Sequence, residues 1–222
     1  MSTVTLTAAD GFTLAGYRAD PKGTPKGGLV VLQEIFGVNH HMRAVTDRFA
    51  ALGYVSLAPA LFDRAERGID IGYDKAAMEK GVKIRAAIKL EDTLRDLSAA
   101  IAALKGVGEI GVIGFCWGGS LAFLAAARLS GLACAVGYYG GMIAAHAGEC
   151  PKVPVLLHFG EQDGGIPMSD VAKLKAARPE VEIHTYPAGH GFSCDERASF
   201  DAASRDQALT RTLAFLKIHL EA

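Results

Sequence analysis

The chain has 222 residues, half of them hydrophobic, and its 23 basic and 24 acidic side chains leave a formal charge of −1. A balance this close to neutral excludes the bulk field that draws a protein to nucleic acid or to an anionic membrane surface, so a small molecule is the expected partner. The length suits one α/β domain with a single core, 1–222.

The opening "MSTVTLTAADGFTL" has no basic segment followed by an apolar block. No later run approaches the roughly 18 apolar residues of a spanning helix, and a cytoplasmic protein is expected. "STVTLTA" and "FTLAGYR" flank Asp10-Gly11, a dipeptide that accepts positive φ, and predict an antiparallel hairpin. After "DPKGTPKGG", apolar runs and amphipathic runs alternate. Strands are expected at 29–33, 55–59, 109–115, 133–139, 153–159 and 181–186, most of them continuously apolar, as in central parallel strands covered on both faces. Helices are expected at 39–52, 90–104, 117–129, 168–178 and about 203–220. In the second of these Leu90, Leu94, Leu97, Ile101 and Leu104 recur at four- and three-residue spacing. Alternation of this kind implies a mainly parallel sheet with helices on both faces and right-handed crossovers. Residues 61–89, rich in Lys and Arg, have no clear period and are expected to form a solvated connector over the carboxyl edge of the sheet.

Chemistry is expected where "GFCWGGS", residues 114–120, joins a strand to a helix. Glycines around Cys116 lack the Cβ that would collide in a sharp turn, and Gly-x-Cys-x-Gly reads as a nucleophile elbow with sulfur in place of oxygen. Two further polar residues follow later strands: Asp163 in "GEQDGGIP" and His190 in "PAGHGF". The order nucleophile, acid, histidine is that of α/β-hydrolases. A thiol must lose its proton to attack, an imidazole can take that proton, and a carboxylate can hold the imidazole in the useful tautomer. Each residue has a plainer reading by itself: core filler for the cysteine, a turn former for the aspartate, an ordinary loop histidine. The four cysteines, Cys116, Cys134, Cys150 and Cys194, contain no Cys-x-x-Cys pair, which argues against structural zinc or a disulfide framework and for free thiols. His40 and His41 point apart on a helix and have no carboxylate at ligand spacing, so no metal site is expected. His158, inside an apolar strand, reads as a hydrogen-bonded core histidine.

Taken together, "VVLQEIFGVN", "GFCWGGSLAF", "AVGYYGG", "FGEQD" and "AGHGF" resemble the dienelactone hydrolase family over nearly the whole chain. The resemblance implies an α/β-hydrolase fold, no cofactor, and hydrolysis of a lactone or related ester by Cys116, His190 and Asp163. It also implies a role for Glu34, whose carboxylate in the family contacts the resting thiol and is displaced when substrate arrives. An anion favours the neutral thiol and a protonated imidazole favours the thiolate, so Glu34 and His190 pull in opposite directions. The backbone N–H groups of Trp117 and Ile35 become the expected oxyanion donors. Phe36, Tyr138 and Phe192 are candidate pocket residues, although aromatics at strand ends are also ordinary core.

Family members adapted to an anionic dienelactone place a serine after the catalytic histidine and an arginine three positions further on. Here Gly191 and Cys194 stand in those places. A substrate carboxylate would therefore need another cation, with Lys80, Lys83, Arg85 and Arg197 as candidates, and a less polar lactone fits equally. The rival readings are a broader carboxylesterase and a non-catalytic ligand-binding protein on the same scaffold. A monomer or weak homodimer is expected, with a small lactone or ester as its partner.

Overall fold

A computed structural model describes residues 1–221, and its chain forms two compact units, Met1–Ile110 and Gly111–Ala222. In the first, β1 (Ser2–Thr7) and β2 (Thr13–Ala19) form the expected antiparallel hairpin, with Leu6 opposite Leu14. Its turn is set by Gly11 at φ 82° and by Asp10, whose carboxylate accepts the Phe12 N–H at 3.2 Å. β2 pairs antiparallel with β4 (Val55–Pro59), and β4 pairs parallel with β3 (Gly28–Leu32). Every residue of β3 and β4 is buried, which is why both read as mainly apolar runs. α1 (His40–Ala51) joins them. Asn39 caps it by accepting the Met42 N–H, and the helix buries Met42, Val45 and Phe49.

The connector expected at 61–89 is not irregular throughout. A short 3₁₀ turn, Leu61–Arg64, leads to a helix, α2 (Lys75–Ala86), capped by Asp74. Periodicity missed α2 because only Gly81 and Ile84 of its residues are buried, while Met78 and Val82 face solvent. α3 (Leu90–Ala103) follows the predicted spacing and buries Leu97, Ala100 and Ile101.

In the second unit the chain runs β5 (Ile110–Phe115), α4 (Trp117–Arg128), β6 (Cys134–Tyr138), β7 (Val155–Gly160), α5 (Met168–Ala177), β8 (Glu182–Tyr186) and α6 (Ala202–Leu220). β5, β6, β7 and β8 are parallel neighbours in that order. The register sets Phe115 beside Tyr138, Tyr138 beside His158, and Gly160 beside Tyr186, so the four carboxyl ends share one edge. α4 is buried from Trp117 through Ala127, and β8, with Glu182 and His184 half open to water, is a polar edge strand.

One ion-pair network of the first unit centres on Arg64. Arg64 donates to Asp10 in the hairpin turn and to Asp96 on α3, each at 2.7 Å, and its guanidinium lies 4.2 Å from the centre of the Phe12 ring. Asp96 is wholly buried, and burial pushes its carboxyl up despite the opposing pull of Arg64. Removing the guanidinium would strand that carboxylate. Arg64→Ala is expected to lower unfolding free energy by about 3–5 kcal/mol in urea denaturation.

Candidate active site

The reversal from β5 into α4 has Cys116 at its apex, with φ 55° and ψ −114°, a conformation that L-residues adopt only under constraint. Close backbone approach supplies the constraint. A Cβ on Gly114 would lie 2.0 Å from the Gly118 carbonyl oxygen, and one on Gly119 would lie 2.3 Å from that of Tyr138. The Cys116 N–H donates to the Tyr138 carbonyl at 3.0 Å, tying the turn to the end of β6. Cys116 is thus the N-cap of α4, at the positive end of the helix dipole, with Trp117 as the first helical residue.

Asp163 stands in the turn after β7, its carboxylate almost fully buried. One oxygen accepts the Gly165 N–H at 2.8 Å and the other pairs with His190 Nδ1 at 2.7 Å. The opposite ring nitrogen, Nε2, lies 3.1 Å from Cys116 Sγ. The structure therefore brings together the three residues that the motifs singled out. His190 is held from its main chain as well, because Ser199 Oγ donates to its carbonyl at 2.6 Å.

Burial works against a charged imidazole, but the hydrogen bonds to Asp163 and Cys116 outweigh it and raise the His190 pKa to about 10. Burial likewise opposes the Asp163 carboxylate, and the His190 bond more than offsets it, leaving that pKa below its usual value. At neutral pH the imidazole is a cation between a carboxylate and a thiol. Such a chain can hold a thiolate, donate a proton to a leaving group and, once neutral, accept one from water.

Tyr138 and Phe192, candidates for pocket lining, are packed in the core instead. Both are buried, their ring centroids are 6.3 Å apart, and the Tyr138 hydroxyl is bonded to Thr212 Oγ1 at 2.7 Å. His158 is a bonded core histidine, with Tyr186 Oη at 2.8 Å and Thr212 Oγ1 at 3.0 Å. Arg197 lies against the α-carbon of Gly191, where a Cβ would come within 2.7 Å of its Nη1. The absence of a side chain after His190 is what makes room for it.

Within the first unit, Glu34, Ile35 and Phe36 follow β3. Glu34 is buried, and Phe36 packs edge-on to Tyr73 with ring centroids 4.5 Å apart. α2 crosses this segment at Gly81, where a Cβ would meet the Ile35 carbonyl oxygen at 1.9 Å. Lys80 is exposed and paired with Glu66 at 2.8 Å, and Arg85 is half-buried on the same helix. Ser199 could not be found from sequence, since nothing local marks a serine nine residues beyond a histidine as its tether.

Among the described residues, no group of three or more His, Cys, Asp or Glu side chains is placed to hold a metal ion, and no helix is long and apolar enough to cross a membrane. The four cysteines are free thiols, as their spacing implied. Burial pushes the Cys134 thiol up to about 12. Native-state alkylation should label exposed Cys150 and half-buried Cys116, with Cys134 and Cys194 reacting only after unfolding; peptide mass mapping checks this.

The His190 shift has a definite sign. Its stabilisation is fully present below the ordinary histidine value of about 6.5 and is lost as pH rises through the folded value of about 10. The stability advantage of the wild type over His190→Gln should therefore narrow across that window in urea titrations at stepped pH.

The sequence profile of the dienelactone hydrolase family matches residues 14–220. A carboxymethylenebutenolidase of Pseudomonas putida is 32% identical over 96% of this chain and 94% of its own. A solved Klebsiella pneumoniae chain superposes with a TM-score of 0.81 at 28% identity, covering 96% of this chain and 98% of that one. A dienelactone hydrolase-like promiscuous phosphotriesterase from metagenomic libraries has a TM-score of 0.77 at 22% identity, with 98% of each chain covered.

Proposed function

From the premise that this chain belongs to the dienelactone hydrolase family and is a lactone or ester hydrolase, we propose that it cleaves small lactones and activated esters through a Cys116 thioester. The supporting observation is the unbroken chain from Asp163 to His190 at 2.7 Å and from His190 to Cys116 at 3.1 Å.

In this reading the Cys116 thiolate adds to the substrate carbonyl carbon, and the negative charge moves onto the carbonyl oxygen. The Trp117 N–H, at the start of α4, stabilises that oxyanion, and the family resemblance implies the Ile35 N–H as a second donor; removing one such donor typically costs on the order of a hundredfold in rate. Collapse of the intermediate breaks the carbon–oxygen bond of the ester, and the departing oxygen takes the proton of His190. Neutral His190, oriented by Asp163, then accepts a proton from water as that water adds to the thioester. Departure of the thiolate releases the acid and restores the ion pair. Glu34 takes the part that the family resemblance assigns it, its carboxylate opposing the thiolate at rest and being displaced when substrate arrives.

Sulfur sets the substrate class. Thiolate leaves a tetrahedral intermediate more readily than a simple alkoxide, because its conjugate acid is stronger, so attack on an alkyl ester tends to revert. Enolates and phenolates leave well. Enol lactones and aryl esters are therefore the favoured substrates.

The test compares an enol lactone, p-nitrophenyl acetate and a matched alkyl ester. Cys116→Ala should lose about a thousandfold or more in kcat/KM on the first two, and the wild type should turn over the alkyl ester most slowly. Faster alkyl-ester turnover would refute the leaving-group constraint. Unchanged turnover in Cys116→Ala would remove the cysteine from the mechanism, and no turnover of any ester would favour a ligand-binding role.

A further inference from the structure

Among the described residues, two that are not glycine have positive φ: Cys116 at 55° and Tyr139 at 39°. The first is the apex of the elbow. The second is a bulky aromatic in a conformation that such residues rarely adopt, and strain of this kind persists only where the surroundings over-determine it.

The surroundings of Tyr139 all lead to the same place. Its N–H donates to the His158 carbonyl at 2.7 Å, and the carbonyl of the preceding residue, Tyr138, accepts the Cys116 N–H at 3.0 Å. Its ring is fully buried, with its centroid 5.1 Å from that of His190 and 5.4 Å from that of Phe192. Its hydroxyl is hydrogen-bonded to Ser193 Oγ at 2.9 Å, three residues beyond His190. A negative φ would aim the Cα–Cβ bond elsewhere and break this set.

We propose that Tyr139 is a positioning residue for His190, its ring limiting rotation of the imidazole and its hydroxyl pinning the loop that carries it through Ser193. The inference rests on the assignment of His190 as the acid and base of the reaction. Once Cys116 is acylated, its sulfur no longer holds Nε2 as a thiolate. The bond from Nδ1 to Asp163 then allows the ring to swing about that axis, and a packed aromatic neighbour is the restraint that remains. The Tyr139–Ser193 bond and the Ser199 tether to the His190 carbonyl both fix the segment that follows the imidazole in the chain.

Tyr139→Phe keeps the ring and removes the hydroxyl, and Ser193→Ala removes the other half of the same bond. Each should lower kcat on p-nitrophenyl acetate by about tenfold with KM within about twofold, and their combination should cost no more than either alone. Tyr139→Leu should cost about a hundredfold. The imidazole ¹⁵N spectrum of His190 supplies a readout independent of turnover: one sharp pair of imidazolium signals in the wild type and exchange broadening in Tyr139→Phe. Wild-type kcat and an unaltered His190 spectrum in both Tyr139→Phe and Ser193→Ala would overturn the proposal. Failure of the underlying reading is distinguishable, because His190→Ala would then retain full turnover whatever the Tyr139 variants do.

Discussion

The second unit is organised around the backbone reversal at Cys116. A cysteine in the left-handed region is strained, and what holds it there is contact of main chain with main chain: Gly114 against Gly118, Gly119 against Tyr138, and the Cys116 N–H on the Tyr138 carbonyl. None of these contacts survives a side chain at either glycine. The same closeness starts α4 directly after the thiol, so the position of the sulfur and the direction of the helix dipole are consequences of one steric fact.

The electrostatics follow from burial. Asp163 is an almost inaccessible carboxylate, and it stays ionised because His190 and the Gly165 amide compensate it. The first unit handles the same difficulty at Asp96, which is buried and answered by Arg64. The difference is in the partner. Arginine keeps its proton throughout the accessible pH range, so its pair is a fixed tie, whereas histidine can give its proton up, so its pair can do chemistry.

Hydrophobic run length and turn chemistry made most elements legible in the residues themselves. β3, β4, β5 and β7 are short, mainly apolar runs because both faces are covered, and their predicted ends lie within two residues of the observed ones. α2 escaped because a helix with so few buried positions leaves little hydrophobic period, and its Met78 and Val82 lie on the wrong side for a core. Sequence left Tyr138 and Phe192 open between pocket and core, because residue type cannot tell an aromatic facing a cavity from one packed against its neighbours.

The sequence by itself determined the alternation of elements, the family, and the identity and order of Cys116, Asp163 and His190, because these depend on local pattern and residue chemistry. Tertiary structure alone decided that His190 lies within hydrogen-bonding distance of partners 27 and 74 residues away, and that Tyr139 and Ser193 lock together beside it. Parallel register is the physical reason. Four strands ending at one edge bring distant turns together, and the directions in which side chains leave those turns are set by packing that no short stretch of sequence contains.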